Sequence, residues 1–290
     1  MRFPLPQVHH DYQSFAALAR LYARTKDCFL ERIEIDMSSA TWFEADMCAA
    51  LGAILYSLGQ NLNTVELTNI APRVWDILAR NGFLSHYGRA KVPDRWGSTI
   101  SYQRFDDRDD HFFARYIESQ FIHRSEMPEM SSGLLKKFRE SIFEIFSNAV
   151  WHSRTQLGIF SCGQLFPSKG LLNFTVADLG VGMRQNIQDF AGLDLAAEDA
   201  IVWATEENNT TRRGPIPGGL GLKLLREFID LNGGCLQIVS DAGFWQTKDE
   251  RVSTARLGHP FPGTVVYIGI NTADLNSYSL TSELDPNEIF

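Results

Sequence analysis

Cysteine is scarce in this chain. Only four occur in 290 residues, Cys28, Cys48, Cys162 and Cys235, and they never form a C-x-x-C pair. Such scattered thiols encode neither a zinc ribbon nor a disulfide framework, and a reducing cytoplasm is the expected compartment. Long apolar runs are missing as well: nowhere do the roughly 18 consecutive apolar residues of a membrane-spanning helix occur. The opening Met1-Arg2-Phe3-Pro4-Leu5-Pro6 lacks the basic segment and apolar stretch of an export signal. A soluble cytoplasmic protein without a membrane partner is therefore expected. Positive charge is in deficit, 27 Lys and Arg against 35 Asp and Glu, for a net charge of −8. Affinity for nucleic acid rests on clustered cations that displace counterions, so nucleic acid is not an expected partner. There is no internal repeat.

What the chain does have is apolar content, 44% of its residues, enough for one large domain or two modest ones, and two are expected. Arg32-Ile33-Glu34-Ile35-Asp36-Met37 alternates apolar and polar side chains, the pattern of a half-buried strand. Met47, Leu51, Ile54, Leu55 and Leu58 recur at helical spacing up to Gly59, and Thr64-Val65-Glu66-Leu67-Thr68 predicts a second strand. A second helix follows Asn69, with Pro72 in its first turn, and stops at Asn81-Gly82, where a left-handed cap costs least. Strand, helix, strand and helix at this length imply a parallel crossover. From Gly88 to about Asp110 the chain turns polar and irregular, which predicts a domain junction, with a strand at Ser98-Thr99-Ile100-Ser101-Tyr102 inside it. Phe112, Phe113, Tyr116, Ile117 and Phe121 then outline an aromatic-faced helix.

Three short signatures follow in order. In the first, a long helix striped by Leu134, Leu135, Phe138, Ile142, Ile145, Phe146 and Ala149 carries Glu144 and Asn148 one turn apart on one face. An amide oxygen there can ligate magnesium, and a carboxylate can orient or deprotonate water, although a solvated face carries the same pair. In the second, the apolar strand Leu171-Leu172-Asn173-Phe174-Thr175-Val176-Ala177 delivers Asp178-Leu179-Gly180-Val181-Gly182-Met183 at its end. Asp178 can accept from an exocyclic amine while the glycines let a ligand approach backbone, and a plain tight turn reads the same way. In the third, Gly214-Pro215-Ile216-Pro217-Gly218-Gly219-Leu220-Gly221-Leu222 opens the amphipathic helix Lys223–Leu231, making either an anion site at a helix N-terminus or a flexible loop. The Walker and dinucleotide glycine patterns are both missing.

Together the three resemble the GHKL ATPase superfamily over roughly 112–270. Glu144-Ile145-Phe146-Ser147-Asn148-Ala149-Val150-Trp151-His152-Ser153 matches its N box, Asp178-Leu179-Gly180-Val181-Gly182 its first glycine box and Gly218-Gly219-Leu220-Gly221-Leu222 its second. Gly263-Thr264-Val265-Val266-Tyr267-Ile268-Gly269-Ile270 resembles its closing strand. The resemblance implies an α/β sandwich with a mixed sheet under helices, binding ATP and Mg2+. It implies Asn148 as the magnesium ligand, Asp178 on the adenine amine, Gly180, Gly182 and Met183 at the base, Thr264 supporting Asp178 through water, and Glu144 as general base. The segment from about Met183 to Pro217 would be a mobile lid over ATP, with Thr211 and Arg212 near the triphosphate, and a homodimer is a further implication. Lys223, in the first turn of the phosphate-facing helix, is a candidate to neutralise phosphate charge but is expected to be solvated, and His152 is expected to be structural or to support a ligand residue.

The stretch from about Phe29 to Leu84 resembles the STAS domain, in Ile33-Glu34-Ile35-Asp36, Trp42-Phe43 and Pro72-Arg73-Val74-Trp75-Asp76-Ile77-Leu78. Where that family carries a phosphorylatable Ser or Thr, this chain reads Ala45-Asp46-Met47-Cys48, so no phospho-switch is expected. An α/β packing module without regulatory heritage gives the same pattern. The expected organisation is a STAS-like interaction domain with linker at 1–104, an ATP-binding domain at 105–273 and a tail at 274–290. The expected function is an ATP-dependent conformational switch with slow hydrolysis, whose N-terminal domain engages a protein partner. A serine/threonine kinase of the anti-sigma-factor type and a non-hydrolysing nucleotide sensor are the alternatives.

Overall fold

The computed structural model describes residues 1–206 and 220–283, with the side chain of Leu220 excepted. In chain order the elements are β1 (Arg2–Pro4), α1 (Tyr12–Thr25), β2 (Arg32–Asp36), α2 (Cys48–Gln60), β3 (Thr64–Thr68), α3 (Pro72–Arg80), β4 (Thr99–Phe105), α4 (Asp110–Ile117), β5 (Glu129–Met130), α5 (Ser132–His152), β6 (Ile159–Phe166), β7 (Leu171–Asp178), α6 (Gly182–Ala191), α7 (Ala197–Thr205), α8 (Leu220–Asn232), β8 (Cys235–Lys248), β9 (Arg251–Asn271) and β10 (Ser277–Tyr278).

β1, β2 and β3 form a small parallel sheet, as the strand-helix-strand pattern implied. α3 begins with Pro72 in its first turn, and Gly82 beyond it adopts φ 85°, a left-handed conformation that glycine enters without a Cβ clash. α2 is more deeply buried than its stripe suggested. It is covered on nearly every side because it packs against β3 of the small sheet and against β6 and β7 of a second sheet. A helix sandwiched in this way must be apolar all round.

The second sheet is antiparallel throughout, in the order β4-β6-β7-β9-β8. Side chains alternate across it. Leu172, Phe174 and Val176 of β7 join the core formed with Phe113, Phe138, Phe146 and Phe228 of α4, α5 and α8. On the opposite face, Phe160, Cys162 and Ala177 join the core shared with α1 and α2. Both faces are therefore covered, which explains why β7 reads as an almost unbroken apolar run. The small sheet, its helices, the antiparallel sheet and the helices α4, α5 and α8 form successive layers. The coarse α/β expectation holds, but the sheet under these helices is antiparallel throughout and not the mixed sheet that the resemblance implies, because each of its strands pairs antiparallel with its neighbours.

β4 spans the expected 104/105 boundary and pairs with β6. β8 and β9 form a long hairpin whose two turn residues, Asp249 and Glu250, both have positive φ, as a tight primed turn requires. α1 lies against this hairpin, where Tyr12 Oη donates to the Arg256 carbonyl at 2.8 Å. Beyond residue 273, β10 pairs with β5, and Glu283 accepts from Ser131 Oγ and from the Gly133 amide at the start of α5. Among the described residues, no helix is long and apolar enough to cross a membrane.

Candidate functional site

α5 is the wall on which two of the three signatures converge. Glu144 and Asn148 are half-buried on its same face, so the face is not simply solvated. The Glu144 carboxylate accepts the Gly221 amide at 3.1 Å in the first turn of α8. A Cβ at Gly221 would displace the Glu144 carboxylate and press on the Ser141 backbone. At its C-terminal end α5 holds the Asp178 turn: the Ser153 carbonyl accepts the Val181 amide at 2.9 Å, and the His152 carbonyl accepts Asn186 Nδ2 at 2.7 Å. Gly180 sits directly on Ser153, and a Cβ there would overlap both the side chain and the carbonyl. From Glu144 to Ser153 at about 1.5 Å per residue is roughly 13 Å, a span that an extended nucleoside triphosphate covers.

The packing at Gly180 yields a prediction. Gly180→Ala is expected to destabilise the chain by about 1–3 kcal/mol, because the overlapped group is backbone and cannot rotate away. An unchanged denaturation midpoint in urea would contradict that contact.

Asp178 ends β7 and is almost fully buried. Burial is the main influence on its carboxyl, which is pushed up to about 7, opposed by hydrogen bonds from the Thr264 and Gly180 amides. Its Oδ1 has no hydrogen-bond partner among the described residues. A buried acceptor left open is expensive, about 1–3 kcal/mol, and a ligand N–H would satisfy it. Gly263, at φ 127°, brings β9 onto the Asp178 carbonyl more closely than any Cβ would allow. Thr264 thus reaches Asp178 directly through its backbone amide, while its hydroxyl pairs with Ser240 Oγ at 2.9 Å. Ser240 Oγ in turn accepts the Met183 amide at 2.8 Å, and Gly182 opens α6 at φ 76°.

The remaining predicted residues divide. The Met183 and Leu222 side chains pack against the helix-side core. Lys223 pairs with Glu227 at 3.6 Å on α8. Thr211, Arg212, Gly218 and Gly219 lie outside the described residues, as does the side chain of Leu220. Of the expected lid, α6 and α7 are described, and α7 packs against β8.

One cluster escaped the sequence reading. Where the N-terminal module meets the antiparallel sheet, His10, Glu44 and Asp46 place one potential ligand atom each within 4.8 Å of one another. Glu44 is held low, to about 2, where hydrogen bonds and charge from His10 outweigh its burial. His10 is raised: burial works against its charge, but Glu44 and Asp46 prevail. Asp46 is pushed up to about 6 by burial. The only sequence signal was two acids, Glu44 and Asp46, in a stretch that is otherwise small and apolar.

Comparison with protein-family models and with curated proteins gives no match to this chain.

Proposed function

We propose that the chain is a Mg-ATP-binding protein of the GHKL class, acting as a conformational switch with slow hydrolysis, its STAS-like N-terminal module carrying the effect to a protein partner. The observation that carries this reading is the buried Asp178 carboxylate, with one unpartnered oxygen, on a turn fastened to the same helix that bears Glu144 and Asn148. Asp178 would accept the adenine amine, Asn148 would offer its amide oxygen to magnesium, and the first-turn amides of α8 would face the phosphates. Bound Mg-ATP supplies the transferable γ-phosphoryl group. Glu144 holds the Gly221 amide; a phosphate at that amide would compete with it, and the displaced carboxylate would orient water. The parallel β1-β2-β3 sheet supports the STAS-like reading of the N-terminal module. That module is fastened to the antiparallel sheet by a continuous core, a route by which changes at the nucleotide reach a partner surface.

The reading predicts a pH dependence. Asp178 keeps its proton up to about pH 7 in the folded chain, against an ordinary value of 3.8. The folded state therefore binds the extra proton, and this stabilising contribution is complete below the unfolded value and is lost as pH rises through about 7. Accepting the adenine amine favours the ionised form, so ATP binding should release a proton near pH 6.5 and tighten as pH rises. Calorimetry in buffers of different ionisation enthalpy measures this release. Asp178→Asn should abolish the difference between buffers that the carboxyl contributes, and an equal proton count in the variant would remove Asp178 from the ligand.

A further inference from the structure

The His10, Glu44 and Asp46 cluster stands apart from the nucleotide reading and does not depend on it. All three side chains belong to the N-terminal module, and Asn173 and Tyr267 of the antiparallel sheet pack against them from the other side. The His10 ring is held rigidly: it stacks on Tyr267 at 4.5 Å between centroids, its carbonyl accepts Gln237 Nε2 at 2.8 Å, and its amide donates to Glu44 at 3.0 Å. Asn173 Nδ2 lies 3.2 Å from His10 Nδ1 and 3.4 Å from Asp46 Oδ1, and Tyr267 Oη fixes the Asn173 carbonyl oxygen at 2.9 Å. Glu44 and Asp46 are 1% and 0% exposed, two buried carboxylates in one cluster. Asp46 Oδ2 has no hydrogen-bond partner among the described residues, so a completely buried charged group keeps an open ligand position. The basic groups facing Glu44 are His10 itself, whose Nδ1 pairs with Glu44 Oε2, the His9 ring, 3.4 Å from it, and the half-exposed Lys169, 3.5 Å from it.

We infer that this pocket is a binding site for a divalent first-row transition-metal cation of the zinc type. One imidazole nitrogen and two carboxylates form a mixed nitrogen and oxygen ligand set, which suits zinc better than magnesium or calcium. Tetrahedral metal–ligand bonds of about 2.0–2.2 Å place ligand atoms roughly 3.4 Å apart, so shifts of under about 1 Å per atom close a cluster whose atoms lie within 4.8 Å on a cation. A dication there would balance the charge of two buried carboxylates. Bound there, it stabilises the loop that leads into α2 and the seam between the N-terminal module and the sheet.

The test uses the full chain, stripped with a chelator and titrated with Zn2+ in excess Mg2+ without nucleotide. The expected result is one Zn2+ per chain, with a rise in melting temperature. Asp46→Asn and His10→Gln should each weaken it by more than about tenfold, whereas Glu144→Gln should leave Zn2+ affinity unchanged. No binding by the wild-type chain overturns the site, as does binding that survives both substitutions. Should either variant fail to fold, Co2+ in the wild-type chain decides: X-ray absorption must show one nitrogen ligand among oxygens, and sulfur coordination refutes the assignment.

Discussion

Glu144→Gln is expected to bind Mg-ATP and to lose phosphate release by about 10²–10⁴-fold, the usual worth of a positioned general base. The substitution is nearly isosteric, and its amide oxygen can still accept the Gly221 N–H that the carboxylate accepts at 3.1 Å. The α5–α8 contact therefore survives, and the variant tests the basicity of the carboxylate. Single-turnover phosphate release separates the two effects. A variant that turns over at the wild-type rate removes Glu144 from the chemistry, and one that also loses ATP binding assigns it to the binding site instead. Transfer of labelled γ-phosphate from the wild-type chain to a protein hydroxyl, in place of free phosphate, would favour a kinase over a switch.

The second large effect concerns recognition of the base. Asp178→Asn should weaken ATP by about tenfold to a hundredfold, the cost of leaving a buried polar group mismatched, while scarcely affecting inorganic triphosphate. Asn can keep its oxygen toward the Thr264 and Gly180 amides, but its NH2 then faces the position where Oδ1 stood open. Two donors, the amide and the adenine amine, would meet there. The same variant should be more stable than the wild-type chain at pH 8, because ionising a carboxyl whose value lies at about 7 opposes folding, and the advantage should shrink toward pH 5. Equal losses for ATP and triphosphate would place Asp178 outside the adenine pocket.

Local chemistry made much of this legible in the sequence. Thr64–Thr68 is the strand its alternation predicts, and α3 starts at Pro72 and stops before Gly82 for the reasons proline and glycine supply. β7 delivers Asp178 at its end, and α5 carries Glu144 and Asn148 on one face because 3.6-residue periodicity requires it. What could not be read depended on contacts distant in sequence. α1 was not anticipated, although Leu18 and its neighbours are buried, because its apolar face is completed by β9, more than two hundred residues away. α2 looked amphipathic, but only the layer of β6 and β7 beyond it explains why its other positions are apolar too. The cluster of His10, Glu44 and Asp46 has no diagnostic spacing, since His10 reaches Glu44 from 34 residues away and only packing brings it to the two acids.

A crystal structure with magnesium and a non-hydrolysable ATP analogue tests the central claim most directly. The account predicts the adenine amine on Asp178 Oδ1, magnesium on the Asn148 amide oxygen, phosphates at the first turn of α8, and the Glu144 carboxylate one water from the γ-phosphate. A nucleotide bound elsewhere, or none bound at saturating concentration, would contradict it.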